Sequence, residues 1–162
     1  MVMGVTVSSQ DVWKVLAEVD DPEIPALSIV DLGIVRRVEV ENGAVRVVLT
    51  PTYSGCPAFE AIKRQVDSSL RNQGFERVIV ETKLSPAWSS RDISEAGRGK
   101  LKATGIAPPF HGANDFGRGE AIRCPYCGST RTVMRSEFGS TACKALRYCE
   151  GCNQPFEHFK SI

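Results

Sequence analysis

Cys124-Pro125-Tyr126-Cys127 and Cys149-Glu150-Gly151-Cys152 stand 21 residues apart near the end of the chain, and their reading decides the fold of its last quarter. Two thiols separated by two residues reach the same ion from one tight turn, and two such turns complete a tetrahedral four-thiolate site. Gly128 follows the first pair and Gly151 lies within the second, where positive φ is useful. Between and after them, 131–135, 144–148 and 155–159 read as strands. The layout is that of a zinc ribbon. A unit of about 40 residues has too small a core to fold unaided, so a metal is expected to hold it. Structural zinc is the default ion, and iron or an iron–sulfur cluster is the rival for four thiolates.

Cys143 is left over within this module. It reads either as a small buried residue or as a further ligand beside Cys124, Cys127, Cys149 and Cys152. His111 and His158 stand alone. Residues 124–162 carry 5 Lys/Arg against 3 Asp/Glu, and a four-thiolate zinc centre of charge −2 would cancel that surplus. The basic residues therefore balance the site, and nucleic acid is not an expected partner.

Upstream, Gly105 to Glu120 holds four glycines and two prolines without apolar periodicity, so it reads as a linker over 105–120. Residues 121–162 are then the ribbon module and 1–104 a separate domain. In that domain Val12, Val15, Leu16 and Val19 mark one helix face behind a serine cap, with the helix closing near Pro22. Ile24 to Ala26 reads as loop. Val35–Val40 and Val45–Leu49 flank Asn42-Gly43, a two-residue hairpin signal. A helix follows over about 57–72, a strand over 77–84 and a third helix over about 92–104. The order α-β-β-α-β-α predicts a small α+β domain with a largely antiparallel sheet.

Cys56 stands by itself in Thr50-Pro51-Thr52-Tyr53-Ser54-Gly55-Cys56-Pro57, at the expected start of the second helix. There the dipole and free N–H groups favour a thiolate, which makes Cys56 a candidate ligand or nucleophile; the alternative is a cysteine with no chemistry. Asp21-Pro22-Glu23 and Asp31-Leu32-Gly33 are open to two readings. They shape turns, or they bring Asp21, Glu23 or Asp31 to Cys56 to tune it or share a metal.

The chain has 162 residues, a formal net charge of +1, 42% hydrophobic and 24% charged residues, which is a globular composition. No apolar run is long enough to span a membrane, and no secretory signal is expected at the N-terminus, so a cytoplasmic setting with reduced thiols is expected. Both histidines lie outside 1–104, so a Cys–His nucleophilic pair within the first domain is excluded. No glycine-rich nucleotide loop is present.

Taken together, Asp21-Pro22-Glu23, Asp31-Leu32-Gly33 and the Thr52 to Pro57 segment resemble the SufT-like family of iron–sulfur assembly domains over about 9–104. With the segments 138–145 and 155–160, the whole chain resembles the family of accessory components that accompany the phenylacetyl-CoA epoxidase of aerobic phenylacetate degradation. The resemblance implies that Cys56 handles iron or a cluster transiently. It implies the oxygenase and reductase components of the epoxidase as partners, with no nucleic acid and no membrane. A non-catalytic maturation factor is the expected role. The alternative is a structural or electron-transfer subunit of the oxygenase complex.

Overall fold

The computed structural model describes residues 8–110 and 122–162. The chain divides into two compact units at Trp88/Ser89, earlier than the expected boundary after 104.

The N-terminal unit opens with α1 (Ser9–Leu16), where Ser8 and Asp11 form a reciprocal capping box. Its apolar stripe buries Val12 and Leu16 completely. Then comes a small hairpin, β1 (Asp20–Asp21) and β2 (Ile24–Ser28), where the sequence predicts a loop. The main sheet is β3 (Val35–Glu41), β4 (Ala44–Leu49) and β5 (Arg77–Thr82), in that order. Asn42 at φ 50° and Gly43 at φ 75° make the turn between β3 and β4, as their pairing requires. The sheet is mixed rather than largely antiparallel. β4 and β5 run parallel, because α2 (Phe59–Asn72) lies between them in sequence and carries the chain back to the same end. Phe59, Ile62, Val66 and Leu70 form the buried face of α2, which packs on β5 and α1. Val45, Val47 and Leu49 of β4 complete the core. The other face of the sheet carries Arg46, paired with Glu39 and Glu81. Trp88 closes the unit, its buried indole N–H donating to the Leu32 carbonyl at 2.7 Å.

The C-terminal unit begins with a short 3-10 turn (Ser90–Asp92) and α3 (Glu95–Ala103). Ser94 caps α3 by accepting the Gly97 N–H, and Gly105 at φ 81° ends it. Arg98, 8% exposed, donates to the carbonyls of Ser90 and Pro109 at 2.7 Å each. The expected linker 105–120 lies mostly outside the described residues, as does His111. Its described start is ordered, since Ile106–Ala107 form β6, which pairs parallel to a strand about fifty residues on. The ribbon strands β7 (Thr132–Ser136), β8 (Lys144–Cys149) and β9 (Pro155–Phe159) lie close to where the sequence predicts them. The four strands order β6-β9-β8-β7. The architecture is therefore an α+β domain followed by a zinc-ribbon module. Among the described residues no helix is long and apolar enough to cross a membrane.

Candidate metal centre

Two tight turns present the four cysteines. In the first, the Cys124 carbonyl accepts the Gly128 N–H and the Cys124 N–H donates to the Ser129 carbonyl, with Gly128 at φ 74°. In the second, Cys149 donates its N–H to the Gln154 carbonyl, and the positive φ falls on Asn153 at 58°, not on Gly151. Gly151 is required for a different reason: a Cβ there would sit 2.8 Å from the Ser129 side chain, where the two turns meet.

The Sγ atoms of Cys124, Cys127, Cys149 and Cys152 all lie within 4.8 Å of one another. Cys124 and Cys152 are 3.7 Å apart, and Cys127 and Cys149 are 3.6 Å apart. Four sulfurs each about 2.3 Å from one ion in a tetrahedron are separated by about 3.8 Å. The donor set therefore fits a single tetrahedral zinc. Ala107, Ile122 and Phe156 pack against Cys124, Cys149 and Cys152 on one side of the site, while Cys127 is exposed.

Electrostatics make the same demand. Burial pushes the Cys152 thiol up to about 12, aided by the neighbouring thiols of Cys127, Cys149 and Cys124. At Cys149 burial also opposes ionisation, but the N–H groups of Cys152 and Gly151, together with the Cys127 and Cys152 thiols, bring the thiol down to about 6. Cys149 and Cys152 ionise together only beside a cation. Cys143 is not part of this group. It is buried, 3.1 Å from the Thr141 hydroxyl, just before β8.

The N-terminal candidates are arranged differently. Cys56 is half-buried and lies two residues before Ala58, the N-cap of α2. Its N–H donates to the Tyr53 carbonyl and its own carbonyl accepts the Phe59 N–H, so it sits in a turn that leads into the helix. Asp21 Oδ1 accepts the N–H groups of Glu23 and Ile24 at 2.7 and 2.9 Å. Asp31 and Ser28 exchange side-chain-to-backbone bonds. These contacts are turn chemistry. Among the described residues, the four ribbon cysteines are the group whose ligand atoms lie close enough to share an ion. The same loop holds a feature the sequence does not advertise. Thr50 is 1% exposed and its hydroxyl has no hydrogen-bond partner among the described residues.

Comparison with known proteins matches each unit to a class. Residues 9–81 match the family described as iron-sulfur cluster assembly protein, and residues 110–160 match the PaaD zinc beta ribbon domain. Two solved structures share the N-terminal fold. A domain of unknown function from Bacillus anthracis is 28% identical, with TM-score 0.54, over 57% of this chain and 90% of that one. A conserved hypothetical protein of Thermotoga maritima is 29% identical, with TM-score 0.51, over 59% of this chain and 94% of that one. The chain thus joins an iron–sulfur assembly domain to a zinc ribbon.

A relative from Escherichia coli K12, which carries the provisional name of a 1,2-phenylacetyl-CoA epoxidase subunit, is 41% identical over 94% of this chain and 92% of its own length. This chain belongs to that family, the PaaD proteins. An Fe-S protein maturation auxiliary factor of Porphyromonas gingivalis is 32% identical over 54% of this chain and 85% of its own.

Proposed function

We propose that this chain is a maturation factor that passes iron or an iron–sulfur cluster to the oxygenase or reductase components of a phenylacetyl-CoA epoxidase. Cys56 is the residue that takes up the cargo. Zinc held by Cys124, Cys127, Cys149 and Cys152 folds the ribbon. The observation that carries this reading is the place of Cys56: a half-buried thiol in the turn leading into α2, within the segment that matches the assembly family. A half-buried thiolate is a soft ligand that suits iron and can be reached by a client. Cargo held that way exchanges thiolate for thiolate with a client and is not kept. Asp21 and Asp31 serve by fixing the turns on the same domain, and Glu23 rides on the first of those turns. The relative's name as an epoxidase subunit supports the same set of partners.

The test is co-expression of the epoxidase components with wild type or Cys56→Ser. Iron and acid-labile sulfide are then measured in the purified components. A maturation role predicts components poor in iron or cluster with the variant, while the variant itself keeps its zinc. Fully loaded components would refute it. If they also co-purify with the variant in fixed stoichiometry, the chain is an architectural subunit.

A further inference from the structure

On one face of the ribbon sheet, exposed apolar side chains lie beside buried ones. Lys144, Leu146 and Tyr148 alternate onto the same face of β8, and register sets Leu146 opposite Glu157 of β9. Leu146 is 36% exposed, and Phe138, on the loop joining β7 to β8, is 64% exposed. Single exposed apolar residues are ordinary. Phe138 differs because it is held in place. The Lys160 ammonium lies 4.4 Å from its ring centroid, and the Phe138 N–H donates to the Ser136 hydroxyl at 3.1 Å.

The loop beneath Phe138 is pinned as well. Lys144 is almost completely buried and pairs with Glu157 at 2.9 Å. The other oxygen of that carboxylate accepts the Ser140 N–H at 2.6 Å. Gly139 fits against the pair so tightly that a Cβ would come within 2.6 Å of the Glu157 carboxylate. Burying an ion pair is a poor way to gain stability. Here it fixes a loop whose tip is an exposed aromatic ring, and a preorganised aromatic is what a binding hot spot requires. At the far side of the same face, the Arg135 guanidinium lies 5.1 Å from the Tyr148 ring centroid.

We propose that Phe138, Leu146 and Tyr148, flanked by Lys160 and Arg135, form the surface on which a protein client docks. The client presents an apolar socket for Phe138, rimmed by carboxylates that meet the two cations. A nucleic acid fits less well, because a backbone track needs a longer run of cations than these two. The proposal rests on the function proposed above, which supplies the client.

The test measures binding of the full zinc-loaded chain to the purified oxygenase and reductase components by calorimetry. Phe138→Ala is expected to weaken binding by about thirtyfold, and Lys160→Glu by about tenfold with a shallower salt dependence. Leu84→Ala, an exposed apolar residue of the N-terminal unit, serves as the control and leaves affinity unchanged. Zinc content and circular dichroism confirm that each variant is folded. Wild-type affinity in Phe138→Ala overturns the surface, and so does failure of the wild type to bind any component. Binding of a labelled single-stranded oligonucleotide at physiological salt, lost in Phe138→Ala, also overturns it, by assigning the face to nucleic acid. In each of those cases the iron content measured with Cys56→Ser still decides the maturation role separately.

Discussion

His158 is 9% exposed, and its Nε2 has no hydrogen-bond partner among the described residues. Burial, with a smaller contribution from the Arg147 charge, lowers its pKa from 6.5 to about 4. Between those values the unfolded chain binds more protons than the folded one. Stability is therefore complete above the unfolded value and is lost as pH falls through the window toward the folded value. The whole shift corresponds to about 3 kcal/mol. His158→Leu should flatten this part of the acid sensitivity. Urea unfolding followed through ribbon amide signals at about pH 7 and about pH 4.5 measures it. Protonation of the cysteines is common to both proteins, so the difference between them isolates the histidine. An equal loss of stability in the two would show that His158 takes no part.

At the scale of elements, the buried Lys144–Glu157 pair between β8 and β9 makes an asymmetric prediction. Lys144→Met leaves a half-buried carboxylate without its cation and should cost about 3 kcal/mol, whereas Lys144→Met combined with Glu157→Leu should cost much less. Chemical denaturation of the two variants checks it. This pair is not legible in the sequence, because its members are joined only by the register of two strands. The β3–β4 hairpin is legible, since Asn42-Gly43 and the flanking apolar runs agree. So are the four cysteines, whose spacing already implies a shared ion. The β1–β2 hairpin is hidden by Pro22 and Pro25, which read as loop punctuation. β6 is hidden for another reason: Ile106–Ala107 become a strand because β9 offers them an edge, and nothing local to a glycine- and proline-rich stretch says so. The parallel β4–β5 pairing follows from the intervening helix, a signal of connection length that strand patterning does not carry. Cys56 stands out by its neighbours, while the Thr50 hydroxyl, without a hydrogen-bond partner among the described residues, emerges only once the loop is folded.

On the scale of the molecule, the compact C-terminal unit begins at Ser89, although the ribbon match begins at 110. The difference is α3 and β6. A fragment covering 89–162 keeps β6 against β9, whereas one covering 110–162 leaves the β9 edge bare and removes Ala107 from its packing against the cysteines. An uncovered edge invites association between chains. The shorter fragment should therefore aggregate, or bind zinc more weakly, while the longer one remains monomeric with one zinc; light scattering and zinc titration distinguish them. The chain's two tryptophans, Trp13 and Trp88, both fall in residues 1–88, and all four clustered cysteines fall beyond. Indole emission thus originates in one unit, and thiolate-to-metal absorption in the other. A melting curve is complete only when both signals are recorded, one for the unit that bears Cys56 and one for the unit that bears the cysteine cluster.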